Sequence, residues 1–171
     1  MILASLSRWI PALTLILAVA IQELALPWRA WSVFRPDLAL LCLFYWRLYR
    51  PDLCGPLLAF LIGLLIDMVS GAPLGLNAFS KTLFILPISY FGARLRATDF
   101  LFLLPVVALL GAGEQLVQWV TLLPLQQGWA RWDLVAGRVI STALCAPLVV
   151  AGLIHLHRTW LEETPGAGRR S

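Results

Sequence analysis

Seven side chains combine ionisable or amide chemistry with apolar surroundings: Arg35, Asp37, Asp67, Asn77, Lys81, Glu114 and Gln118. Groups of this kind are costly to bury unless they find partners, so each needs a pairing, a ligand or a partner protein. Asp67 ends one apolar run, and Asn77 and Lys81 open the next, across the turn Gly71-Ala72-Pro73-Leu74-Gly75. Asp67 and Lys81 are therefore expected at similar depth, and an ion pair between them is expected. Glu114 and Gln118 are four apart and share one helix face. Gly55, Ala59 and Gly63 lead toward Asp67 in steps of four, a small-residue stripe that lets another helix approach closely. In the turn, Pro73 restricts the backbone, and Gly71 and Gly75 allow geometries that other residues resist.

Other chemistries lack their residues. There is no phosphate-binding Walker loop, no HExxH zinc motif and no cysteine cluster. Cys42, Cys54 and Cys145 lie in apolar runs as small hydrophobes, without metal-ligand spacing. His155 and His157 are two apart and point to different helix faces, which suits interfacial side chains better than one metal ion. Ser70 could serve as an intramembrane nucleophile only with a base in reach, and both histidines are expected at the opposite membrane face. A proton channel needs polar groups through its whole depth, whereas the inner half here is almost purely apolar. No cofactor and no metal are expected.

The elements that position these residues are membrane helices. Of the 171 residues, 60% are hydrophobic and 13% charged, and the mean hydropathy is +0.84. A soluble domain is usually about a quarter charged, so a core this large could not be covered in water. The net charge of +4 comes from arginines scattered at the ends of apolar runs, which is no nucleic-acid footprint. Apolar segments run over approximately 9–27, 36–49, 53–70, 74–92, 99–123 and 134–156. An all-α membrane protein with six transmembrane helices follows. The second segment is short: its fourteen residues reach about 21 Å against a hydrocarbon core of about 30 Å. Snorkelling of Arg35 and Arg47, or irregular neighbouring structure, would make up the difference.

Orientation follows from the distribution of arginine. With the N-terminus inside, Arg8, Arg47, Arg50, Arg94, Arg96, Arg158, Arg169 and Arg170 fall on the cytoplasmic side, and Arg29, Arg35 and Arg131 outside. Both termini are expected to be cytoplasmic. Tryptophans mark both interfaces: Trp9, Trp46 and Trp160 inside, and Trp28, Trp31, Trp119, Trp129 and Trp132 outside. Residues 1–157 form one transmembrane domain, and 158–171 form a cytoplasmic tail, partly disordered. Connections are short, so consecutive helices are expected to be neighbours. The longest external loop, Pro124 to Asp133, is too small for a folded domain. The run after Arg8 continues past the small-residue pattern at Ala18-Val19-Ala20, which favours a retained helix over a cleaved signal peptide. In this topology Glu23, Arg35, Asp37, Asp67, Asn77, Lys81, Glu114, Gln118 and Arg138 all lie toward the outside. They satisfy one another, line an outward pocket, or form a docking face.

Three stretches then resemble the MreD family of bacterial rod shape-determining proteins. They are Arg35-Pro36-Asp37 followed by apolar residues and Tyr45-Trp46; Gly63-Leu64-Leu65-Ile66-Asp67; and Ser70-Gly71-Ala72-Pro73-Leu74-Gly75-Leu76-Asn77-Ala78. The resemblance covers roughly residues 9–157, with its motifs in the second to fourth segments. It implies a place in the elongation machinery that builds the lateral cell wall of a bacterium, in the cytoplasmic membrane. It further implies association with MreC and, through it, with MreB, RodA and a partner transpeptidase. It implies no enzymatic activity. It implies a fold similar to the substrate-binding membrane component of energy-coupling-factor transporters. The resulting expectation is a non-catalytic scaffold that binds an MreC-like protein. The alternative is a small-molecule-binding component of such a transporter.

Overall fold

The computed structural model describes residues 9–24, 35–96, 100–122 and 132–161. Their regular structure is helical, with no strand among the described residues. The helices are α1 (Ile10–Glu23), α2 (Leu38–Tyr49), α3 (Pro56–Ser70), α4 (Leu76–Arg96), α5 (Phe100–Leu122) and α6 (Trp132–Leu161). Each coincides with one expected apolar segment. Two of them, α5 and α6, contain stretches long and apolar enough to cross a membrane, Leu103–Thr121 and Val135–His157; α1, α2 and α3 are shorter apolar helices. Helix α6 continues to Leu161, so the expected tail begins as helix. Arg8, Trp28, Arg29, Trp31, Trp129, Arg131, the external loop from Pro124 to Arg131 and the tail from Glu162 lie outside the described residues, as do the side chains of Trp132, Arg158 and Trp160.

Helix α2 is the axis of the bundle. Its sequence, LALLCLFYWRLY, is apolar all round, which is the pattern of a helix buried on every side. Every residue from Ala39 to Trp46 is buried, and so is Leu48. Its neighbours are α1, α4, α5 and α6. This explains its length: twelve residues span about 18 Å, and a helix sheathed by others need not match the bilayer. Both flanking arginines have protein partners. Arg35 turns to Glu23, and Arg47 donates to the carbonyls of Pro51 and Cys54 at 3.1 and 2.8 Å.

Two further expectations are corrected. Helices α2 and α3 are joined by a short turn but barely touch; α3 packs instead on α4 and α1. Within that turn Arg50 pairs with Asp52 at 3.0 Å, and the hydrogen bond from Arg50 holds the Asp52 carboxyl below its ordinary range. Trp46 is no interface anchor. It is fully buried, and its indole Nε1 donates to Thr14 Oγ1 of α1 at 2.8 Å. His157 stacks on it, with ring centroids 5.8 Å apart and planes 20° apart, while Trp9 at the start of α1 is exposed. The apolar core includes Phe44, Leu48, Leu103, Val107, Val150 and Leu153.

The tightest contact joins α3 to α4, and Gly63 is its cause. A Cβ there would lie 2.4 Å from Ala78 Cα and 2.5 Å from both Ala78 N and Asn77 O. Ala59, one turn earlier, is fully buried. Gly55 is different: a Cβ there would meet nothing within 4 Å, so the stripe acts through Ala59 and Gly63. Helix α3 stops at Gly71 in the left-handed region, φ 70°. Gly75 then takes φ 98° and opens α4 with its carbonyl on Phe79 N. Both angles are ones that residues with a Cβ resist.

Candidate functional site

The polar residues converge on one buried network. Asp67 comes from the last turn of α3 and is 1% exposed. Its Oδ2 accepts from Gly75 N at 2.9 Å and Ala78 N at 3.3 Å. Its Oδ1 accepts from Asn77 N at 3.0 Å and Asn77 Nδ2 at 2.8 Å. The first amides of any helix lack intrahelical acceptors and carry partial positive charge. Asp67 supplies both acceptor and countercharge to α4 from a different helix.

Lys81 lies one turn further along α4, and its partners are not the expected one. Its Nζ donates to Asp37 Oδ1 and Oδ2 at 3.1 and 2.9 Å and to Glu114 Oε1 at 2.9 Å. Asp67 is occupied by the α4 N-terminus instead. The rotation of α4 turns Lys81 toward Asp37 at the start of α2 and toward α5.

Asp37 does three things at once. It is the N-cap of α2, accepting from Leu40 N at 2.9 Å. It holds Lys81. Its own backbone N–H donates to Thr142 Oγ1 on α6 at 2.8 Å. Arg138, one turn before Thr142, stands 4.0 Å from Asp37 Oδ2. Glu114 and Gln118 do share a face of α5. Gln118 Nε2 donates to Asn77 Oδ1 at 2.9 Å, Ser80 Oγ at 3.2 Å and Glu114 Oε1 at 3.3 Å. Ser80 Oγ is also 3.1 Å from Glu114 Oε1. Arg35 pairs with Glu23 of α1 and stays outside this core. Beside it, Gln22 Oε1 accepts from Ala39 N at 3.2 Å and ties α1 to the start of α2.

Gln22, Ser80 and Thr142 escaped the sequence reading. Ser80 lies three after Asn77, and Thr142 four after Arg138, so helical spacing held the signal. Gln22 sits beside the more conspicuous Glu23. The turn residues Gly71, Pro73 and Gly75 place no side chain in the network; they return the chain so that the amides of α4 meet Asp67. Pro73 O also accepts from Leu76 N at 3.1 Å.

The network is ionic and inward-looking. Lys81 and Arg138 face Asp37 and Glu114, and Lys81, Asp67 and Glu114 are each no more than 1% exposed. No group of three or more His, Cys, Asp or Glu residues able to hold a metal occurs among the described residues. The arrangement joins five helices, four of them (α2 to α5) through charge-assisted hydrogen bonds, the stronger kind.

A family model described as rod shape-determining protein MreD matches residues 4–156. The chain belongs to the MreD family. The match spans α1 to α5 and most of α6, beyond the motif-bearing segments, and thus contains every member of the network. Membership makes this a membrane protein of the rod-shape system, a structural shape-determining protein. No solved structure matches the chain.

Proposed function

We propose that this protein is a non-catalytic scaffold of the cell-elongation machinery, which binds an MreC-like protein and so supports lateral peptidoglycan synthesis. Through MreC it acts with MreB, RodA and a transpeptidase. It crosses the bacterial cytoplasmic membrane six times with both termini inside, in a fold akin to the energy-coupling-factor substrate-binding components.

The observation that carries this reading is that the buried polar groups are spent on one another. Asp67, Asn77, Lys81, Glu114 and Gln118 join helices through hydrogen bonds to one another. A transporter component needs its polar groups turned toward a ligand. A scaffold needs a rigid body with a defined outer surface, and a buried network that ties its helices together supplies rigidity. Membership of the MreD family supports the same choice.

The test is replacement of the chromosomal copy by a variant that unlocks the network, such as Asp67→Leu, with cell shape and MreC co-purification as readouts. Loss of rod shape together with loss of MreC supports the scaffold. Wild-type rods from a normally folded Asp67→Leu protein would deny the network any essential role.

A further inference from the structure

Helices α1 and α3 meet loosely and leave a lateral groove of about 410 Å³. Its walls are apolar: Ile16, Val19 and Ala20 from α1, and Leu65 and Val69 from α3. Val19 is the buried floor, 2% exposed, while Ile16 and Val69 stand open at the sides. One end of the groove is different. It is closed by Glu23, the last residue of α1, and Glu23 is ion-paired to Arg35.

A long apolar slot with a carboxylate and a guanidinium at one end has the chemistry of a phospholipid site. We infer that the groove holds one acyl chain of a phosphatidylethanolamine-type lipid, with its ammonium on Glu23 and its phosphate on Arg35. The charges are complementary in sign and order to that zwitterion. Both residues have unused capacity. Among the described residues Glu23 Oε1 has a single long contact, 3.5 Å from Gln22 Nε2, and Arg35 Nε is without a hydrogen-bond partner. Arg35 keeps 29% of its side chain exposed, enough to reach a phosphate. Glu23 ends its helix and Arg35 lies outside any helix, which suits the level where headgroups meet the hydrocarbon. The inference needs only that this face meets lipid; it does not depend on MreC binding or on which terminus is inside.

The test is lipid retention by native mass spectrometry. The intact protein is reconstituted in vesicles of equal phosphatidylethanolamine and phosphatidylglycerol, then extracted in mild detergent. Wild type is expected to keep one phosphatidylethanolamine per chain, enriched about tenfold, the ratio that one charge-assisted hydrogen bond sustains. Glu23→Gln should abolish the enrichment and leave the count of bound lipid. Ala20→Trp should fill the groove and remove the lipid. Phosphatidylcholine in place of phosphatidylethanolamine checks the same point without mutation, because its quaternary ammonium donates no hydrogen bond, and its enrichment should vanish. Equal retention of all headgroups by wild type would overturn the inference. So would an unchanged lipid count in folded Ala20→Trp, or the loss of a bound protein instead of a lipid from that variant.

Discussion

Asp67 and Asn77 are joined twice, through the backbone N–H of Asn77 at 3.0 Å and its side-chain amide at 2.8 Å, both to the same carboxylate oxygen. A residue in the last turn of α3 thereby caps α4. Asn77 passes the connection on to Gln118 of α5 at 2.9 Å. The hairpin and the bundle are held by one set of bonds.

Asp67→Leu removes the acceptor for three backbone amides and one side-chain amide. We expect a loss of about 3 kcal/mol, since each buried donor left unsatisfied costs on the order of 1 kcal/mol or more. Asp67→Asn should lose less, because one oxygen remains to accept. Reversible unfolding in mixed micelles measures both. Equal stability of Asp67→Leu and wild type would show that the cap does not hold α4.

Lys81→Met strands two buried carboxylates and should destabilise by about 3–5 kcal/mol. The triple variant Lys81→Met, Asp37→Asn, Glu114→Gln removes the stranded charges and should recover much of that loss. A triple variant no more stable than Lys81→Met would place the energy in Lys81 packing alone. The same unfolding assay separates these outcomes.

Much of this architecture is legible in the sequence, and the failures have physical reasons. Hydropathy located each helix, because burial and lipid contact both demand apolar runs. Counting residues from the turns grouped Asp67, Lys81, Glu114 and Gln118, and these meet in one network. What counting cannot supply is rotation about a helix axis, and for that reason Lys81 was matched with Asp67 instead of Asp37 and Glu114. The central place of α2 was also hidden. A short apolar segment reads alike whether it faces lipid or other helices, and only packing reveals that Trp46 is enclosed. Gly63 stood out through its spacing, whereas a Cβ at Gly55, equally regular in sequence, would meet nothing within 4 Å.

Those two glycines give a paired prediction. Gly63→Ala would push a methyl group against the backbone of Asn77 and Ala78 and should cost about 1–3 kcal/mol. Gly55→Ala should be neutral within about 0.5 kcal/mol, since a Cβ there meets nothing within 4 Å. Thermal stability in detergent checks both. Equal effects would mean that α3 and α4 are not in backbone contact.

Gly75→Ala forces a Cβ onto a backbone at φ 98° and should cost at least about 1 kcal/mol. A Gly75→Asn substitution should be milder, since asparagine tolerates positive φ better than alanine does. Stabilities in the order glycine, asparagine, alanine would confirm the turn. Alanine as stable as glycine would contradict it.

The most direct test of the scaffold is to purify the protein gently at native abundance and identify what remains bound by mass spectrometry, for wild type and for Lys81→Met side by side. We predict an MreC-like protein with wall synthases on the wild type, and a loss of that association in proportion to the loss of folded Lys81→Met. Recovery of an ATPase module or a vitamin, with no MreC-like protein, would contradict the scaffold and make this chain a transporter component.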